Sequence, residues 1–333
     1  MPSVSGAFAA NGRDLVRSVA PTGAAFADLK PTNLLGLLYF TLCSVLTGLA
    51  LLLSSFSSWL LWLSGQILLS VALLQWFVLL HEAGHNTLFR SPRLNRLAGY
   101  LAGFFALIPF GCWKLVHGVH HHWTGWQDLD LTTAVLVPRK LSWLEKRIID
   151  FCWLTGIPLF STLYRVNNFW NLVRLFRIFP RRAQRIRLTV SAVLSLIVYA
   201  AVVSLLGWEL LLQFCALGLV LTLMLQDPLI LSQHTHIPLK LSNGEAVKPF
   251  PPMEQEVFTR SLRFPRWFSS LVLLHLDAHE LHHMYTRVPG YRLGKIDYRP
   301  QNEMHWWRWL VKAKCVPAHV FLFQNRNQTG YDL

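Results

Sequence analysis

Two long stretches of this chain carry no lysine or arginine: residues 33–80 and residues 188–233. Each contains a pair of apolar segments, and a helix needs roughly 20 such residues, at about 1.5 Å each, to cross a bilayer. The segments are residues 34–53, 59–80, 188–206 and 208–231. Ser54, Ser55, Phe56, Ser57 and Ser58 join the first pair; little more than Gly207 joins the second. Links this short force antiparallel neighbours. The expected architecture is therefore all-α and integral to a membrane, with two transmembrane hairpins.

Composition agrees with that reading. Of 333 residues, 53% are hydrophobic and 14% charged, where an ordinary soluble domain carries about 25% charge. The 14 Trp and 21 Phe suit aromatic belts at the two membrane interfaces. The formal net charge of +14, from 31 Lys and Arg against 17 Asp and Glu, would suit nucleic acid or an anionic membrane surface. A nucleic-acid binder has no use for two apolar deserts, so membrane lipid is the expected partner and nucleic acid is not. All the cations lie outside the hairpins. The positive-inside rule then puts the N-terminus, the middle segment and the C-terminal third in the cytoplasm.

Within the middle segment, residues 99–111 are too few to cross and contain Pro109, which suggests an interfacial or re-entrant element. Residues 151–170 mix aromatics with Arg165 and Asn167, as an interfacial helix does. Arg181, Arg182, Arg185 and Arg187 precede the third segment as a topology anchor. Five scattered cysteines give no disulfide or iron–sulfur pattern. The first thirty residues include Asp14, Asp28 and Lys30 and lack the apolar core of a signal peptide. The expected division is a cytoplasmic segment over 1–32, a membrane domain over 33–293 and a cytoplasmic segment over 294–333.

The chain has 14 histidines, and most are clustered. His81 and His85 follow the second apolar segment; His117, His120, His121 and His122 come about thirty residues later; His234 and His236 follow the fourth segment; His275 precedes His279, His282 and His283. His305 and His319 stand alone. Residues at i, i+3 and i+4 share a helix face, so each box aims two or three imidazoles at one point. Imidazole suits iron, zinc and copper. Eight box histidines, plus one from the His234/His236 pair, exceed the four to six positions of a single ion, so two ions are expected. A rival reading takes His81-Glu82-Ala83-Gly84-His85 as the HExxH of a zinc metalloprotease, with Glu82 as base. That reading leaves most other imidazoles without a role.

The order HxxxH, HxxHH and HxxHH around two hydrophobic hairpins resembles the membrane fatty acid desaturase and hydroxylase family. Trp113-Lys114, Thr124-Gly125, the Gln233-to-His236 stretch and HHMYTRVPGYRL at 282–293 look like family signatures. The resemblance covers roughly residues 34 to 293. It implies a di-iron centre held by about nine nitrogens in a cytoplasmic helical cap above four spans, with O₂ as co-substrate and no catalytic residue apart from the metal ligands. By similarity the ligands are His81, His85, His117, His120, His121, His279, His282 and His283. His236 is the expected ninth, with His234 as the alternative. Glu82, Asp227, Asp277, His122 and His275 are the expected partners of the liganding imidazoles. Thr286 stands where the family often has proline.

The resemblance implies oxidation of a fatty acyl chain, with desaturation leading and hydroxylation or decarboxylation to a terminal alkene as alternatives. No dinucleotide fingerprint or cysteine cluster is present, so a separate electron donor, a ferredoxin or cytochrome with its reductase, is expected. Its acidic face would dock on the basic surface. The expected location is a bacterial inner membrane.

Overall fold

The computed structural model describes residues 29–333, so the expectations for the first 28 residues lie outside it. Helix α1 (Asn33–Ser54) starts where the Thr32 hydroxyl accepts the Leu35 amide. After a four-residue link, α2 (Trp59–His85) runs back beside it. Helix α2 is the central post and is buried along most of its length, packed by α1, by α3 (Pro92–Ala106) and by α9 (Leu217–His234).

Between α2 and α9 lie five further helices. Helix α4 (Phe110–Trp123) meets α3 at a 96° bend across Leu107–Pro109. The bend breaks helical pairing, and two side chains take up the freed carbonyls. Arg165 Nε donates to Ala106 at 3.0 Å and Trp170 Nε1 to Leu107 at 2.9 Å. Those donors lie in a short helical run of α5 (Trp143–Thr155), α6 (Leu159–Arg165), a π-helical turn at Val166–Trp170 and α7 (Leu172–Ile178). Trp143, Leu144, Phe151, Leu154 and Leu163 on this run are exposed, as an interfacial element requires.

Helix α8 (Arg182–Leu211) continues through a π-turn at Leu212–Ala216 into α9. As a straight rod, these 53 residues would span about 80 Å. They do not, because α4 touches both ends. The Gly111 amide bonds Ser191 Oγ at 2.8 Å, and the ring of His120, nine residues on, lies 4.7 Å from that of His234. Gly207, at φ 79° and ψ 159°, folds the rod into two arms. The π-turn frees backbone groups, and α2 satisfies them: Gln66 donates to Phe214 O and accepts from Gly218 N, while Trp62 donates to Gln213 O. Asn33–Ser54, Trp59–His85 and the folded Arg182–His234 stretch are each long and apolar enough to cross a membrane.

The rest of the chain folds against the ends of α2 and α9. It comprises α10 (Arg266–Leu271), α11 (His279–Met284), α12 (Gly290–Leu293), α13 (Trp306–Lys314), α14 (Ala318–Phe323) and α15 (Arg326–Thr329). Two three-residue strands, β1 (Ser261–Arg263) and β2 (Glu303–His305), pair in parallel, and an isolated parallel bridge joins Trp126 to Lys240. Trp309, Phe321 and Leu322 bury against Trp153, Leu231 and Leu262, so residues 294–333 share a core with α5, α9 and β1.

Candidate metal centre

Three helix faces and one helix end converge. On α2, His81 and His85 are one turn apart; on α4, His117, His120 and His121 share a face; on α11, His279, His282 and His283 do the same. Gly84 lets α4 come this close, because a Cβ there would meet the Trp113 ring at 1.9 Å. That ring stacks on His117 with centroids 4.2 Å apart.

The imidazoles divide into two groups, each with its donor atoms within 4.8 Å of one another: His81, His85, His117, His121 and His282, and then His120, His234, His279 and His283. In the first, His117 Nε2 lies 2.9 Å from both His85 Nε2 and His121 Nε2, and His121 Nε2 lies 3.1 Å from His282 Nε2. In the second, His279 Nε2 lies 2.9 Å from His234 Nε2 and 3.1 Å from His283 Nε2.

His234, and not His236, stands with the second group. Helix α9 runs on to His234, whose Nδ1 faces the Phe258 carbonyl at 3.2 Å. After the extended Thr235, His236 adopts φ 59° and turns away, its Nε2 2.7 Å from Thr329 Oγ1. The buried Arg260 guanidinium fixes this exit. It donates to the carbonyls of Ser232, Thr235 and Leu333, gathering the orphan acceptors of the helix end.

The partners behind the imidazoles differ in part from those expected. Glu82 Oε1 lies 3.3 Å from His81 Nδ1, and its Oε2 accepts from Thr87 Oγ1 and the Gly290 amide, both at 2.8 Å. Among the described hydrogen bonds, Asp227 and Asp277 reach other groups than the clustered imidazoles. Asp227 accepts the Ser161 and Phe160 amides at the start of α6, because α6 packs its N-terminus there and its free amides need an acceptor. Asp277 accepts from Ser269 Oγ at 2.7 Å. His275 Nδ1 lies 3.1 Å from the same hydroxyl, and His122 packs its ring against Trp123; both stand outside the two groups. Two further partners lie outside the sequence-based expectations. Asp130 Oδ2 lies 2.8 Å from His120 Nδ1, and Gln255 Oε1 lies 2.9 Å from His283 Nδ1.

The donor set fits metal ions. A neutral imidazole has one proton for two nitrogens, so clustered Nε2 atoms cannot all be satisfied by each other. His81 Nε2 is buried with no hydrogen-bond partner among the described residues. Bonds of about 2.1 Å at right angles would set neighbouring donors about 3.0 Å apart, which matches the 2.9 to 3.1 Å contacts. Burial, and then the neighbouring imidazoles, hold His279, His282 and His283 well below the usual histidine range. They are neutral near pH 7, the form that coordinates.

Two cavities of several hundred cubic ångströms reach the groups. One, of about 530 Å³, is largely apolar; Phe77, Tyr164, Ile230, Leu231 and Leu276 line it, and His81, His117, His120, His234 and His279 close its end. The other, of about 350 Å³, opens to His85, His121 and His283 between Lys114 and the Pro249–Pro252 stretch.

The sequence model of the family described as fatty acid desaturase matches residues 57–312. The chain belongs to this family. Among relatives, a temperature-sensitive sn-2 acyl-lipid omega-3 desaturase (ferredoxin) from Arabidopsis thaliana chloroplasts is 33% identical over 118 residues, 35% of this chain and 27% of that protein. A chloroplastic omega-6 fatty acid desaturase from Brassica napus is 24% identical over 264 residues, 74% of this chain and 56% of that one. An sn-1 acyl-lipid omega-3 desaturase (ferredoxin) from Synechocystis sp. is 22% identical over 231 residues, 66% and 61% respectively. The matches thus span from about a quarter to about three fifths of these desaturases.

Proposed function

We propose that this chain is a membrane-bound di-iron oxidoreductase that desaturates a fatty acyl chain. The observation that carries this is the gathering of nine imidazoles into two groups, with members of both groups lining one apolar cavity. His81, His85, His117, His121 and His282 would hold one iron, and His120, His234, His279 and His283 the other. Glu82, Asp130 and Gln255 fix the orientation of His81, His120 and His283 through the outer ring nitrogen. Bound iron supplies the redox chemistry with O₂ that zinc lacks.

The chain's own residues bind, position and exclude water. The cavity falls within the roughly 300 to 1,000 Å³ of ligand pockets, and its apolar wall favours a hydrocarbon over water. Phe77, Trp113 and Leu276 hold one stretch of the chain beside the imidazoles, and position along the cavity selects the carbon oxidised. In balance, two hydrogens leave the chain; with two electrons and two protons from outside, they convert one O₂ to two waters. The electrons come from a separate donor; two of the relatives carry ferredoxin in their names.

The cation-free stretches 33–80 and 188–233 and the fold at Gly207 support four spans in two hairpins, with the histidine-bearing cap and both termini on the cytoplasmic side. A protease assignment is disfavoured. Both oxygens of the Glu82 carboxylate already have partners, Thr87 and Gly290 on one and His81 on the other, which disfavours a role as the water-activating base.

Gas chromatography–mass spectrometry of lipids and headspace from expressing cells tests the reaction, alongside metal analysis of the purified protein. A new internal double bond with iron bound is expected. A hydroxylated chain or a volatile terminal alkene would replace desaturation on the same site. A single zinc and no iron would overturn the assignment.

A further inference from the structure

At the start of α1, Lys30, Arg90, Arg292 and Lys295 line an open cleft with Thr32 that shares no lining residue with either cavity. Among the described residues no carboxylate lines it, and none of the four cations has an ion-pair partner. The Arg292 side chain lines the cleft, and its Nε has no hydrogen-bond partner among the described residues. The 22-residue α1 aims its N-terminal dipole at the same place, with no acidic residue in its first turn. Four cations, an unpaired donor and a positive helix end call for a phosphate.

The surface next to the cleft says which phosphate. Leu34 is 78% exposed, Leu37 56% and Leu38 59%, and they form an apolar strip that begins at the cleft and continues along α1 through Val45 and Leu52. A free anion has no use for that strip; a phospholipid's acyl chains would cover it. We propose that the cleft holds the headgroup phosphate of an anionic phospholipid whose tails lie along α1, which rests on the reading of α1 as a membrane span. The lipid fastens α1 to α12. Tyr291 OH accepts from the Thr32 amide at 3.0 Å and its ring stacks on Tyr39, while the adjacent Gly290 amide holds Glu82 behind His81. An occupied cleft thus stabilises the wall of the metal centre without touching it.

The test compares wild type with the triple variant Lys30→Gln, Arg90→Gln, Lys295→Gln, and with Arg90→Gln alone as the milder change. Iron content near that of wild type checks that each variant folds. Each is placed in nanodiscs of phosphatidylcholine alone or with added phosphatidylglycerol. Native mass spectrometry counts phosphatidylglycerol retained after detergent exchange, and thermal unfolding is followed in each disc. Wild type should keep one more phosphatidylglycerol than the triple variant, and phosphatidylglycerol should raise only the wild-type midpoint, with Arg90→Gln between. Equal retention and equal shifts would overturn the proposal. So would inorganic phosphate giving detergent-solubilised wild type the same rise, since the ligand would then be a free anion. Failure of the membrane reading would appear separately, as extraction of the protein by carbonate without detergent.

Discussion

The two histidine groups are built in opposite ways. The first takes four of its five members from one-turn pairs, His81 with His85 on α2 and His117 with His121 on α4, and adds His282 from α11. Two packed helices nearly complete it. The second draws on α4, on the last residue of α9 and on α11, so it exists only when three distant parts of the chain are docked. Their outer supports differ in the same sense. Among the second group, His120, His234 and His283 face Asp130, the Phe258 carbonyl and Gln255, whereas in the first Glu82 alone lies behind an imidazole among the bonds described. A group set by helix geometry needs little bracing; one assembled from separate elements depends on each brace.

The largest effect should come from the one residue that α11 lends to the first group. His282→Ala removes that link, and activity should fall to background while the protein still inserts in the membrane. Iron should drop from about two per chain toward one, because the first group loses its only donor from α11 and a solvent-filled gap replaces a buried imidazole. Metal analysis beside lipid analysis checks this. Retained oxidation would show that α2 and α4 suffice, and would break the division into two groups.

The braces come next. Asp130→Ala leaves His120 free to rotate, and losing such a partner typically costs 10- to 100-fold in metal affinity or activity. Iron retention against a chelator should fall for one ion only, the one in the second group. Gln255→Ala should act on the same ion through His283, but only several-fold, since a neutral hydrogen bond is about half as strong as a charge-assisted one. Equal loss of both ions in either variant would argue that the groups act as one unit.

These braces show where sequence reading stops. The hairpins were legible because charge is absent over whole helix lengths, and the boxes because i, i+3 and i+4 define a face whatever surrounds it. Asp130 left a weak trace, a carboxylate ten residues past His120, but it reaches that ring only because a tight turn bonds its amide to the Trp126 carbonyl. Gln255 is 28 residues from His283 and left no trace. Asp227 misled for a physical reason. A carboxylate in an apolar segment signals function, yet here it satisfies the amides opening α6, which is the need of a backbone and not of a metal.

The smallest expected effect is also the most discriminating. Gln233-His234-Thr235-His236 offers two imidazoles, and by spacing alone either serves as the ninth donor. What separates them is Arg260, which collects the Ser232 and Thr235 carbonyls and so ends α9 with His234 still on its face. His236→Ala should therefore leave iron content and oxidation at wild-type levels. It should cost only about 0.5–1.5 kcal/mol of stability, the usual net worth of one hydrogen bond, here the one to Thr329. His234→Ala, two residues away, should lose iron from the second group. Should the two variants exchange behaviours, α9 would have to end later than Arg260 allows, and the second group would be braced by a different contact at its weakest junction.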